Sequence, residues 1–434
     1  MIFTAVGDYL TQRRLPPNYE GFDEIAAWIQ SGEARYFNLE TTLHYEGECF
    51  GNSCHGGSYL RMDPEVLDDC KRYGFNMVSF CNNHSLDYCF DGLMHTWNHV
   101  QKSGLTHAGA GANLDQAAAP GYLEAESGRV ALIGFTSTCN DIADNVSIAG
   151  RQGYRVKGRP GVNQLRYKDT IIVTQAQMDV LKEIAEQTHV NAGEDIVRKE
   201  GYRDELPEGN LDITKNVHFR VGQEPGMERK CDPRDLARAE KAIYEAKLQA
   251  DYILVAIHSH EISGTSKESP SQFLQEFAHF CIDCGADAII GHGPHLLRPI
   301  EIYKGKPIFY SLGDFMLENE NIPFVPVDYY DKYKLDQDCT MHELFRTRSK
   351  GFIRGLQTDA KMLETVIPRW EMQDGKVVKI ELKPVELTRG LPRSRVGLPQ
   401  PAKDDAILHR LAKMSEAFGT RMEIRDGIAT VVLE

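Results

Sequence analysis

A layered α/β fold is predicted by three features of this 434-residue chain. Short apolar runs alternate with helix-patterned segments through its first third. Along the whole chain, five apolar runs stop abruptly on a polar side chain able to ligate a metal. The rhythm lapses over residues 139–230, which are rich in Gly, Asn, Asp and Arg, and then resumes.

In chain order, Ile2–Val6 reads as a strand running into Asp8, Gly21–Gln30 as a helix, and Arg35–Leu39 as a strand running into Glu40. Asp63–Tyr73 is a helix with an acidic N-cap, Pro64 in its first turn and Gly74 as its stop. A strand over 75–81 leads into Asn83-His84; helix Gly92–Ser103 and strand Val130–Phe135 follow. Within 139–230 only Thr170–Val173 has a strand pattern and Ala176–Gln187 a helical one. In helix Pro233–Ala250, residues Leu236, Ala239, Ile243, Ala246 and Ala250 recur at helical spacing. Strands at 251–257, 286–291 and 307–312 complete the core around helix Gln272–Cys284. The first runs into His258 and the second into Gly-His-Gly-Pro-His at 291–295. Strand-like runs at Phe352–Gly355, Met362–Trp370 and Lys376–Leu382 suggest a β layer, closed by helix Asp404–Ala417 and strand Ile428–Leu433. The expected organisation is a core of 1–138 and 231–400, an insertion at 139–230 serving as a lid over the carboxyl edge of the sheet, and a C-terminal helix and strand at 401–434.

Composition narrows the function. The net charge of −14 argues against nucleic acid, which needs clustered Lys and Arg. No stretch approaches the ~20 apolar residues of a membrane span. The first residues, Met-Ile-Phe-Thr-Ala-Val-Gly-Asp, lack the basic start of a leader and read as a strand. Ten unpatterned cysteines fit a reducing compartment, so a cytoplasmic location is expected. Cys281-Ile-Asp-Cys284 has zinc-like spacing but no second ligand pair, and is expected to pack. Cys49 and Cys54, with His44 and His55 nearby, lie in a glycine-rich loop and are expected to be a loop feature rather than a metal site.

The five endings carry the chemistry. In an open α/β sheet, ligands bind beyond the carboxyl ends of the strands. Asp8 and Glu40 are hard oxygen ligands, Asn83 an amide oxygen, and His258, His292 and His295 nitrogen ligands. Such mixed sets suit Mn, Fe or Zn, and six ligands exceed one tetrahedral ion, so two divalent transition-metal ions are expected. A pair of ions can activate a water and clamp charge developing on an ester or amide. His84, beside Asn83, is placed as general acid, with Asp87 three residues on to orient it. His260 shares one side of its strand with His258, and either could ligate; Glu261 is then a supporting or substrate-facing group. Six basic residues, Arg151, Arg155, Lys157, Arg159, Arg166 and Lys168, fall within 18 residues of the supposed lid. Of these, Arg155, Arg159 and Arg166 are the expected contacts for an anionic substrate.

Gly7-Asp8, Asn38-Leu39-Glu40, Asn82-Asn83-His84-Ser-Leu-Asp87, His258-Ser-His-Glu261, Gly291-His292-Gly-Pro-His295 and Tyr310-Ser-Leu-Gly-Asp-Phe315 resemble, in order, the motifs of the CapA family. Gly158-Arg-Pro-Gly161 also fits. Those proteins are named for poly-γ-glutamate capsule synthesis and are similar to calcineurin-like metallophosphoesterases. The resemblance spans about residues 1–320. It implies a four-layer αββα metallophosphoesterase-like sandwich, here with a lid insertion, around a dinuclear metal centre. Three positions depart from the pattern. Leu10 stands where the phosphoesterase motif has His, Glu40 where phosphoesterases bridge two metals with Asp, and Asp314 where Asn is commoner. The expected function is a metal-dependent hydrolase of a phosphoester or γ-glutamyl-type amide, acting on a small anionic substrate. The alternative is an accessory capsule-synthesis protein that binds an acidic polymer.

Overall fold

The computed structural model describes residues 1–139, 147–214, 216–318, 321–388, 390–392 and 395–433. The chain divides into two compact units, one of Met1–Leu165 with Ala237–Glu434, the other of Arg166–Leu236.

The larger unit is mixed α/β and holds a ten-stranded and a six-stranded sheet. In the first, Ile2–Leu10 pairs in parallel with Ala34–Leu39, which continues to Met77–Ser79 and Thr106–Ala108. On its other side Ile2–Leu10 pairs in parallel with Asp314–Leu317 and antiparallel with Glu364–Gln373, the first arm of a hairpin with Lys376–Glu386. In the second sheet, Tyr252–His258 runs parallel between Gly128–Thr136 and Ala288–His292, and Lys306–Phe309 continues from the latter.

Side-chain alternation decides which face each residue buries. Phe3, Ala5, Tyr36 and Met77 of the first sheet join Leu132, Leu254, Ala256 and Ile290 of the second, with Trp370, in one shared core. The opposite face of the first sheet, with Val6, Tyr9, Phe37 and Leu39, is covered by Ile25, Ile29, Val66, Cys70 and Leu93. These come from helices Phe22–Gln30, Val66–Tyr73 and Cys89–Ser103. On the second sheet, Phe135 meets Phe277 of helix Gln272–Cys284 edge-to-face at 5.1 Å. Each such large side chain, fully buried, stabilises the fold by ~1.5–3 kcal/mol.

The smaller unit has more structure than its sequence pattern suggests. Its sheet runs Asn210–Ile213, Val217–Val221, Tyr167–Val173, Gly226–Cys231, with helices Gln175–Thr188 and Ala192–Lys199. Of these strands only Thr170–Val173 shows in a hydrophobic-period search; the rest carry charged residues that pair across the sheet, as where Asp169 lies opposite Arg229 in the register and takes a hydrogen bond of 2.6 Å from its guanidinium. Residues 147–165, expected in the insertion, belong to the larger unit. Val162 and Leu165 are fully buried, and Gly161–Val162 pairs with Ala110–Gly111.

The strand expected at Phe352–Gly355 does not form. Gly351, Phe352 and Gly355 all have left-handed φ values, of 79°, 65° and 124°, which break an extended run. Among the described residues no helix is long and apolar enough to cross a membrane.

Candidate metal centre

The carboxyl ends of the central strands of both sheets deliver polar side chains to one buried place. Asp8 occupies Ile2–Leu10, Glu40 follows Ala34–Leu39, His258 ends Tyr252–His258, and His292 ends Ala288–His292. All four are fully buried. Glycines make the approach possible. A Cβ on Gly7 would lie 1.8 Å from the Gly313 carbonyl oxygen, the same oxygen that accepts the Asp8 N–H at 3.1 Å. Gly293, at φ 117°, turns its N–H onto Asp8 Oδ2 at 2.8 Å.

Three donor atoms converge around Asp8. His258 Nδ1 and His292 Nδ1 are 3.0 Å apart, and they lie 3.5 and 3.4 Å from Asp8 Oδ1. Ligands ~2.0–2.1 Å from one tetrahedral ion are separated by about 3.4 Å, so this triangle has the dimensions of a cation site. The other ring nitrogens are held: Tyr36 Oη lies 2.9 Å from His292 Nε2, and Asn83 Oδ1 lies 2.7 Å from His258 Nε2. Asn38 Nδ2 donates to Asp8 Oδ1 at 2.7 Å. Such outer contacts fix the rotation and tautomer of ligating imidazoles.

Glu40, His260 and His295 form a second group with ligand-capable atoms within 4.8 Å of one another; Asp8, Glu40, His295 and Asp314 form a third, overlapping both. Glu40 Oε1 lies 4.0 Å from His84 Nε2 and 3.8 Å from His258 Nε2, and its Oε2 lies 3.9 Å from His295 Nδ1. Neither Glu40 oxygen has a hydrogen-bond partner, and nor has Asp314 Oδ2, although all three are buried. An unsatisfied buried acceptor costs ~1–3 kcal/mol, so three in one place fit a cation. His295 sits at φ 62°, a left-handed conformation worth ~1–2 kcal/mol of strain for a side-chain-bearing residue, with Asp314 Oδ1 2.9 Å from its Nδ1.

Electrostatics point the same way. Burial drives the pKa of His258 and His260 well below the ordinary imidazole value, and that of His292 down to about 3. These rings are neutral at pH 7 and offer lone pairs. Burial, then the charges of Asp8, Asp314 and Asp87, raises the Glu40 carboxyl well above its usual range. Burial lifts Asp314 to about 6 against the pull of His295. Burial would lower His295, but the charge and hydrogen bond of Asp314 outweigh it, and its pKa is raised.

His84 borders this cluster. Its Nδ1 lies 2.6 Å from Asp87 Oδ2, and the Asp87 carboxylate also accepts the N–H groups of Gly56 and Leu60 at 2.7 and 2.8 Å. The loop around Gly56 lies against the ring, since a Cβ on Gly56 would come within 2.5 Å of it. Thus Asp8, Glu40, Asn83, His84, Asp87, His258, His292 and His295 are brought together.

The remaining expected site residues sit differently. Glu261 accepts from the hydroxyls of Ser137, Thr138 and Ser259 at 2.7 to 3.1 Å. Arg155 lies over the exposed Tyr154 ring, and Arg159 donates to the Ile148 carbonyl at 2.9 Å. Arg166 is engaged by the fully buried Asp235 through two guanidinium hydrogen bonds of 2.8 and 2.6 Å. Asp314 is not among the ligands expected from the sequence, although it lies in the Tyr310–Phe315 motif, and neither are the supporting residues Tyr36, Thr138 and Arg298. Asp314 opens its strand, so a search for apolar runs that end on a ligand passes over it. Among the described residues no cysteine joins a potential metal group.

A family model described as bacterial capsule synthesis protein PGA_cap matches residues 2–319. The chain belongs to that family. An uncharacterized protein, y4sH, from Sinorhizobium fredii is 32% identical, covering 99% of this chain and 92% of its own length. The PGA biosynthesis protein CapA of Bacillus subtilis is 24% identical over 60% of this chain and 47% of its own. A probable polyglutamine synthesis accessory protein of Mycobacterium tuberculosis is 23% identical over 91% of this chain and 76% of its own. The PGA_cap match takes in every cluster residue described above, including the run from His292 to Asp314.

Proposed function

We propose that this PGA_cap protein is a metal-dependent hydrolase that holds two divalent transition-metal ions, Mn, Fe or Zn. One position draws on Asp8, His258 and His292, the other on Glu40, His260 and His295, with Asn83 and Asp314 beside them. The observation that carries the reading is Glu40: a fully buried carboxylate without a hydrogen-bond partner, ringed by imidazole nitrogens of His84, His258 and His295. The two-sheet core with helices on its outer faces supports a four-layer αββα metallophosphoesterase-like arrangement.

When bound, the ions would acidify a water and neutralise charge growing on the cleaved phosphoester or γ-glutamyl-type amide. The chain supplies the rest. Asp87, itself fixed by two backbone N–H groups, holds His84 through Nδ1 and leaves Nε2 facing the centre, where it donates a proton to the leaving group. Tyr36 and Asn83 hold His292 and His258 so that their Nδ1 atoms meet at Asp8. Arg155 and Arg159 remain the proposed contacts for an anionic substrate. Arg166, already satisfied by Asp235, is better explained as a structural residue of the smaller unit.

A second reading, an accessory protein that binds an acidic polymer, is favoured by the mycobacterial relative's designation and by the exposed basic loop at Arg151–Arg159. Elemental analysis of protein purified without chelator, followed by a screen of phosphoesters and γ-glutamyl peptides, separates the two. Bound metal with turnover supports the hydrolase; absence of transition metal, with none taken up on titration, refutes it.

A further inference from the structure

We infer that Arg298 is a positioning residue that sets the cation position formed by Glu40, His260 and His295, and that the two positions are therefore mechanically unequal; this rests on the metal reading above. His258 is placed by the sheet, since it pairs in register with Thr136 on one side and His292 on the other. His260 lies two residues beyond that strand and has no ladder to hold it.

Arg298 takes over that task. It is fully buried, and its guanidinium donates to four backbone carbonyls: Ser259 at 3.1 Å, His260 at 3.3 Å, Glu261 at 2.9 Å and Lys267 at 2.9 Å. Among the described residues no carboxylate lies within ion-pair distance of it. A buried charge costs several kcal/mol, and only a planar fork with five N–H groups can gather this many carbonyls. The other side of the turn is closed by Thr138. Its Oγ1 accepts the His260 N–H at 2.8 Å and donates to the Glu261 carboxylate. Arg298 is also three residues after His295, so one side chain ties together the two segments that carry the histidines of this position. In the Asp8–His258–His292 position both histidines are already held by strand pairing in register.

The test compares wild type with Arg298→Lys and Thr138→Val. Mn²⁺ and Zn²⁺ binding is titrated calorimetrically, stoichiometry is measured by elemental analysis, and Co²⁺ absorption reports the ligand set. A lysine ammonium has three donors for four carbonyls. The expected result is two ions in wild type, with each variant keeping the first at near wild-type affinity and losing ~10–100-fold in the second. Two ions of unchanged affinity in both variants would overturn the role of Arg298 while leaving the metal reading intact. One ion in wild type would overturn the inequality of two positions, and none would overturn the metal reading as well. If Arg298→Lys fails to fold, Thr138→Val decides: selective loss of the second ion supports the inference, and loss of both or neither overturns it.

Discussion

Replacing Glu40 with Gln separates what this carboxyl costs the fold from what it does for a cation. Burial and three neighbouring carboxylates raise its pKa well above the ordinary 4.5. A group whose folded pKa is raised contributes stability that is complete below its unfolded pKa and is lost as pH rises toward the folded value. In metal-free protein the wild type should therefore lose about 1.4 kcal/mol per pH unit relative to Glu40→Gln, from pH ~4.5 up to the folded pKa. The variant, with no proton to lose, becomes the more stable protein as pH rises. Metal should reverse the order. An ion at 100 times its Kd adds about 2.7 kcal/mol to the wild type, whereas the variant lacks the oxygen charge that faces His84, His258 and His295. Urea denaturation at pH 5, 6 and 7, in chelator and then in saturating Mn²⁺ or Zn²⁺, measures both effects. A wild type more stable than Glu40→Gln in chelator at pH 7, or equal stabilisation of both by metal, would refute the reasoning.

Four further outcomes follow from the geometry. His84→Ala should keep its metal but lose ~10²–10⁴ in turnover, while His292→Ala should lose metal; elemental analysis beside kinetics shows whether the roles are assigned correctly. Arg155→Ala with Arg159→Ala should raise KM for an anionic substrate, with each lost charge-assisted bond costing ~1–3 kcal/mol or ~5–150-fold in kcat/KM and the effect shrinking as salt rises. Arg166→Ala should act on stability, because it strips the fully buried Asp235 of its guanidinium partner; calorimetry should register a loss near the low end of ~3–5 kcal/mol. Gly7→Ala should cost ~1–3 kcal/mol in the same assay, since its methyl would enter the Gly313 carbonyl.

The larger unit was legible because its strands are buried on both faces. Tyr252–His258 and Ala288–His292 read as continuous apolar runs, as parallel strands under cover must, and helices such as Val66–Tyr73 announce their stops with glycine. The smaller unit was legible only in part: Thr170–Val173 and the helix Gln175–Thr188 show in the pattern, whereas Asn210–Ile213, Val217–Val221 and Gly226–Cys231 bury no side chain fully and do not. Phe352–Gly355 misled for the opposite reason: an apolar dipeptide imitates a strand where the adjoining glycines impose a turn.

The site divides along a similar line. Groups that belong to strand ends were visible, because an apolar run that stops on Asp, Glu or His is a local event in sequence. The groups that hold them were not, because their partners are remote: Tyr36 reaches His292 across 256 residues, and Thr138 reaches His260 across 122. Arg298 was the least legible of all. A lone arginine after Leu-Leu in an apolar segment reads as a misfit, and its purpose shows only when four carbonyls from another segment converge on it. The ligand types follow from local sequence, whereas the geometry that would make them bind one ion more firmly than the other is a property of long-range backbone capture. That is why the sequence could propose two ions but gave no means of telling the two positions apart.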